Sequence, residues 1–208
     1  MLLADDLYFV AHEETSGKSR LHPRVTGLAL AAALLGELVM DGRIDLRAGL
    51  ITVIDRQPPS DALAHTILDQ LASERQQHAT HNWLAFLGAS ATEQVCQRMV
   101  RAGHLNRTES RGLLRTTVRF TPADRSAAAW PEARLRRFLT RGEQLTIQDA
   151  VLAGLIEASD LTRHVLWDGD ARSFQYLAWV LSSLPPPLRE LTTQAQAAIG
   201  NAVITTLN

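Results

Sequence analysis

The sequence predicts a mostly α-helical single globular domain, residues 1–208, built around a hydrophobic helix bundle with one projecting β-hairpin and a short strand pair. Three observations carry this expectation. Residues 24–40 form an Ala- and Leu-rich run that is apolar nearly all round, the pattern of a helix buried on every side. Apolar residues recur at three- and four-residue spacing through most of the remaining chain. One segment, about 104–121, switches to the two-residue alternation of a strand. At 208 residues, 46% hydrophobic and 21% charged, the chain is long enough to bury one core without metal or disulfide staples.

The elements follow in order. Met1 to Ala11 is a short apolar opening element carrying Leu2, Leu3, Leu7, Phe9 and Val10, followed by a turn at Thr15 to Lys18. Arg24 to Met40 is the core helix, closed by Asp41-Gly42. Ile44 to Leu46 and Leu50 to Ile54 are two short strands joined by Arg47-Ala48-Gly49. Ser60 or Asp61 caps a helix over Ala62 to Arg75, with Leu63, Ile67, Leu68 and Leu71 on one face. Asn82 to Phe86 begins another helical stretch. Thr92 to Ala102 is a clearer helix, with Val95, Cys96, Met99 and Val100 inward and Gly103 as its terminator. In the hairpin, Gly103 to Arg107 is the outgoing arm and Glu109 to Gly112 the turn. Its return strand alternates Leu114, Thr116, Val118 and Phe120 with Arg115, Thr117 and Arg119. Pro131 is placed at the first position of a helix carrying Leu135, Phe138 and Leu139. Thr146 and Asp149 resemble a capping box for a helix over Ile147 to Ala158. A helix near Ala171 to Ser183, the Pro185-Pro186-Pro187 break and a last helix over Leu188 to Thr206 complete the chain.

No segment reads as membrane-spanning. The most apolar uncharged stretch, Val25 to Gly36 between Arg24 and Glu37, is twelve residues long, against the about 20 that a spanning helix needs. Asp5 and Asp6 stand where the basic start of a signal peptide belongs. The single cysteine, Cys96, cannot form an internal disulfide and lies on an apolar helix face, which points to a reducing compartment. The expected location is cytoplasmic, with any membrane contact peripheral.

Catalytic and metal signatures are absent from the pattern. Gly17-Lys18-Ser19 imitates the end of a phosphate-binding loop, but His12 occupies the place of its first glycine. His78 and His81 lack further ligands nearby, and Asp168 and Asp170 lack the rest of a calcium loop. No Gly-x-Ser-x-Gly surrounds any serine. The expectation is a protein that is not an enzyme and carries no cofactor.

The formal charge of −1 conceals an uneven distribution. Residues 91–141 hold eleven basic and four acidic side chains, a charge of +7, while residues 142–208 carry −4. All basic residues but Lys18 are arginine, the side chain suited to bidentate pairing with phosphate or carboxylate. The hairpin contributes Arg115 and Arg119, and the helix after Pro131 adds Arg134, Arg136, Arg137 and Arg141. Such a segment fits solvated faces paired with acids elsewhere, or a surface for anionic phosphate in a lipid or a nucleic acid. The nucleic-acid version imitates the recognition helix and wing of a winged helix-turn-helix. Its recognition helix would carry only Arg98 and Arg101 as basic groups, fewer than such helices present, so nucleic acid is the weaker expectation. A third reading is a protein-interaction module whose hairpin pairs with another subunit.

The order of motifs resembles the Golgi phosphoprotein 3 family. The opening Leu2 to Ala11 leads through the Gly17 turn into Gly27 to Leu38, an apolar helix ending in Glu37-Leu38. It then runs into Gly42-Arg43-Ile44-Asp45-Leu46. Asn82-Trp83-Leu84, the Val100 to Gly103 approach to Leu105 to Pro122, and Ala158-Ser159-Asp160-Leu161 follow in register with the family. The Ala- and Arg-rich style resembles bacterial members. The resemblance implies a helical bundle with a projecting hairpin and peripheral binding to phosphatidylinositol 4-phosphate. It also implies self-association or membrane contact through the hairpin, and capture of protein cargo. The positions that the family uses for the headgroup fall on His22, Ala31, Ala89 and Thr92, none of which keeps the family's residue. Arg20, His22 and Arg24 are the substitute headgroup candidates, ahead of a helix N-terminus that favours an anion. Leu113, Leu114, Arg115 and Arg119 are the membrane-facing candidates on the hairpin.

Overall fold

The computed structural model describes residues 1–74, 79–111 and 116–206. Helix α1 (Leu3–Val10) is buried along its whole length, including Asp5 and Asp6. It lies on helix α2 (Pro23–Met40), whose residues Val25 to Leu38 are all buried. His22 caps α2, its ring accepting from the Arg24 amide at 3.3 Å, and Pro23 occupies the first turn, where a missing N–H is harmless. Gly42, at φ +68°, ends the helix: the Arg43 amide bonds to the Leu38 carbonyl at 2.9 Å and the Gly42 amide to Val39 at 3.0 Å. By length and composition α2 is apolar enough to cross a bilayer, but 78% of it is buried inside the bundle. The expectation of a core helix therefore holds.

Strands β1 (Ile44–Arg47) and β2 (Leu50–Val53) pair antiparallel from Ile44↔Val53 to Arg47↔Leu50. Ala48 and Gly49 both have positive φ, 53° and 75°, the geometry of a tight hairpin turn. The Glu190 carboxylate accepts from both turn amides and fastens the turn to the far end of the chain. Helix α3 (Ala62–Ser73) is capped by Asp61. Helix α4 (Thr80–Gly88) crosses α2 at Gly27, where an added Cβ would run into the Gly88 carbonyl oxygen, so a glycine is required there. Helix α5 (Ala91–Arg101) buries Val95, Cys96 and Met99 and ends at Gly103, φ +75°.

The hairpin is β3 (Leu105–Arg111) with β4 (Thr116–Pro122), in register from Leu105↔Pro122 to Arg111↔Thr116. It matches the expected span of about 104–121 to within one residue at each end, but Glu109 to Arg111, expected in the turn, are strand. Glu109 pairs with Val118, because no Gly or Pro interrupts the outgoing arm before Gly112 and the ladder bonds continue. Leu113, Leu114 and Arg115, and also His78, lie outside the described residues.

Helix α6 (Arg125–Arg141) corrects a second expectation: Pro131 is not its first residue but lies inside it. Asp124 caps it, accepting from the Ser126 amide at 2.8 Å, and the alanines that follow favour helix enough to start it earlier. Pro131 therefore withholds one N–H from the ladder in the first half of the helix while burying its ring. Helix α7 (Ile147–Ala158) carries the expected cap: Thr146 Oγ1 accepts from the Asp149 amide at 3.1 Å and donates to its carboxylate at 2.8 Å. A short helix α8 (Thr162–Val165), which no sequence signal announced, precedes α9 (Ala171–Ser182). Helix α10 (Pro186–Thr206) packs along α2, α7, α4 and β1 and closes the bundle.

Candidate functional site

The cationic segment divides into arginines that hold the fold together and arginines that face water. Arg98 belongs to the first kind, only 6% exposed. Its Nε and Nη2 donate to Asp5 Oδ1 at 3.1 and 2.8 Å, and Nη2 and Nη1 donate to the two oxygens of Glu37 at 3.1 and 2.9 Å. Nη1 also reaches Asp61 at 3.3 Å, so every guanidinium N–H has an acceptor. Glu37 accepts in addition from the Ala4 amide at 2.8 Å. Arg134 makes a second buried node, bonding Asp149 Oδ1 at 2.7 and 2.9 Å and Asp6 Oδ2 at 2.9 Å. Burial pushes the Asp6 carboxyl above its ordinary range, against the pull of Arg134 and Gln148. The adjacent Asp5 and Asp6 are thus held by the two helices that flank the hairpin, α5 and α6. Arg98 is therefore committed to the buried cluster and does not line a surface with Arg20 and Arg24.

On the surface, Arg107 pairs with Glu109, and Arg137 and Arg141 with Glu143, while Arg136 lies 5.5 Å over the Trp167 ring. Arg101, Arg119 and Arg125 are exposed and have no acidic partner among the described residues. The outward face of α5 carries Glu93, Gln97 and Arg101, and Gln97 donates to Glu93 at 2.8 Å. The rest of that helix is packed on the bundle.

The loop between α1 and α2 carries the substitute headgroup candidates. Gly17, at φ +67°, lies against the β4 backbone, where an added Cβ would meet the Phe120 carbonyl oxygen. This contact sets the loop beside the hairpin base, next to the exposed Arg119. His12 is buried below, its ring stacked on Tyr8 at 3.9 Å and its Nδ1–H donating to the Tyr8 carbonyl at 2.7 Å. Burial lowers its pKa to about 4, so the ring is neutral near pH 7. Arg20 is half-buried and paired with Glu14 at 3.2 Å, with its Nε buried and unbonded. His22 spends its ring nitrogen on the α2 cap. Arg24 is exposed and opens onto a cleft of about 600 Å³ between the start of α2, the outer face of α4 and the last turns of α10. His81, Ala85 and Ala89 line it from α4, and Ala198 and Asn201 from α10.

The structure thus brings Arg24 and Ala89 to one cleft, with His22 at the adjoining cap. It does not bring in Ala31, which is fully buried. Arg20 is engaged by Glu14, which leaves Arg24 as the exposed cation of the three candidates. Arg119 stands on the hairpin base and does not line the cleft. His81 was missed as a site residue, although its four-residue spacing to Ala85 and Ala89 places all three on one helix face.

A search of curated proteins gives no match. The family model of Golgi phosphoprotein 3 (GPP34) matches residues 3–195, nearly the whole chain, and the all-helical bundle with its hairpin agrees with the motif order read from the sequence. The chain belongs to the Golgi phosphoprotein 3 (GPP34) family.

Proposed function

We propose that this chain is a non-enzymatic, peripheral membrane protein that holds the phosphate of an anionic phospholipid at the cleft beside the α2 N-terminus. The supporting observation is Arg24, an exposed cation without an acidic partner among the described residues, at the mouth of that cleft. The first amides of α2 add the partial positive charge of a helix N-terminus. His81 stands on the opposite wall as a second donor. Arg119, at the hairpin base next to the Gly17 turn, extends the same attraction toward the membrane. Each such arginine contributes on the order of 1 kcal/mol near an anionic surface.

In this reading the headgroup is selected by charge rather than by the stereospecific contacts of a phosphatidylinositol 4-phosphate pocket. Two of the four family headgroup positions are alanines, one of them buried, and a third, His22, is committed to capping α2. Nucleic acid has no place in the reading, because the helix ahead of the hairpin offers outward only Glu93, Gln97 and Arg101. The test is a titration with vesicles holding phosphatidylinositol 4-phosphate or phosphatidylglycerol at matched surface charge, using wild type and Arg24→Glu. Binding to both lipids with similar strength, weakened several-fold by Arg24→Glu, is the expected result. A strong preference for the phosphoinositide would overturn charge selection, and absence of binding to either lipid would overturn the reading itself.

A further inference from the structure

We infer that a membrane-embedded part of this protein is a ridge formed by α4 and the last turns of α10, with Phe86 and Ile204 entering the bilayer interface on either side of the Arg24 cleft. The inference rests on the membrane reading above and names the surface that makes the contact. Phe86 is 60% exposed and Ile204 63%. Phe86 precedes the cleft residue Ala89 by three positions, and Ile204 follows the cleft residue Asn201 by three. On a helix, that spacing sets each apolar side chain immediately beside the lining. Phe86 and Ile204 therefore flank a single opening, one on each wall.

The charge pattern of these elements names the occupant. Helix α4 contains no Asp, Glu, Lys or Arg, and α10 has none after Glu190 in its described length, an uncharged run of four turns. Among the described residues lining the cleft, the one permanent charge is Arg24. A carboxylate, Glu74, lines a separate cleft together with Trp83 and Phe86. Apolar side chains beside a cleft whose cation is unpaired complement an anionic bilayer interface: phosphate meets the cation and acyl chains meet the apolar rim. A protein partner of ordinary surface would leave Arg24 facing no defined acid.

The experiment uses the full chain with Phe86→Cys, labelled with an environment-sensitive fluorophore. The native Cys96 is buried and stays unlabelled. The probe is a vesicle of phosphatidylcholine with about a third phosphatidylglycerol. Adding vesicles should shift the emission to the blue, in parallel with the fraction of protein that co-sediments. The unlabelled variant Phe86→Ser with Ile204→Ser alters only exposed positions. It should partition at least about tenfold more weakly, with an unchanged melting curve, since each buried apolar side chain of this size is worth more than one such factor. Sedimentation without a spectral shift would overturn the ridge and leave the membrane reading standing. Neither sedimentation nor shift would overturn both. A dye already blue-shifted at high protein concentration without vesicles would identify a second copy as the occupant and overturn the proposal.

Discussion

Replacing Arg98 with Met removes the cation that three carboxylates share and leaves a side chain of similar length among them. In the wild-type protein Arg98 gives five hydrogen bonds to Asp5, Glu37 and Asp61, and Asp5 and Glu37 are only 4% and 8% exposed. Orphaned carboxylates in that position either stay charged in a poor solvent or take up a proton. Protonation sets a ceiling. Glu37 has an ordinary pKa of 4.5, so holding it protonated at pH 7 costs about 3.4 kcal/mol, at 1.36 kcal/mol per pH unit. At pH 5 the same proton costs about 0.7 kcal/mol. The expected loss at pH 7 is therefore about 3 kcal/mol, at the low end of the about 3–5 kcal/mol found when one partner of a buried ion pair is removed. That is a large share of the 5–15 kcal/mol that typically holds a domain together.

The sign of the pH dependence follows from the same argument. The folded variant raises the pKa of Glu37, so the stability tied to that group is intact below 4.5 and is lost as pH rises through the new folded value. Urea unfolding of wild type and Arg98→Met at pH 7 and pH 5, followed by circular dichroism, measures both quantities. Adding Glu37→Gln should recover part of the loss at pH 7. A loss below about 1 kcal/mol at pH 7, as for an exposed pair, or an equal loss at both pH values, would refute the buried-cluster argument.

Three further outcomes follow from the same structure. His12 is neutral when folded, with its pKa lowered to about 4 from 6.5, so the unfolded chain alone binds its proton between those values. Wild-type stability should fall with acid over that window by up to about 3 kcal/mol more than that of His12→Gln, and parallel pH profiles would refute the assignment. Gly17→Ala forces a Cβ onto a positive-φ residue pressed against the Phe120 carbonyl, and should lower stability by about 1–3 kcal/mol in urea; an unchanged midpoint counts against that contact. Thr146→Ala should cost about 1 kcal/mol through loss of the α7 cap, read as a lower melting temperature, and a neutral result would remove the cap from the account.

Much of the architecture was legible because it follows from local rules. The all-apolar run of α2, the caps at Asp61 and Thr146, and the glycines closing α2 and α5 each act within a few residues of themselves. Pro131 misled because the rule for its preferred position ignores what precedes it: Asp124 and three alanines start the helix first. The site was harder to read because charge counting treats all arginines alike. Arg98 and Arg134 lie in the basic segment yet face inward, and only tertiary packing brings Asp5 and Asp6 to them. A signal existed for Arg98, which stands three residues after Val95 and next to Met99, on the buried stripe of its helix. The cleft had no sequence signal of its own, since its walls come from three helices, α2, α4 and α10, that are far apart in the chain.

The most direct measurement is co-sedimentation of the wild-type protein with neutral phosphatidylcholine vesicles and with vesicles containing an anionic phospholipid, at low and at high salt. The account predicts binding to the anionic vesicles alone, weakened strongly as the screening length falls from about 10 Å at 0.1 M salt to about 3 Å at 1 M. Equal pelleting with both vesicles, or none with either at low salt, would contradict it.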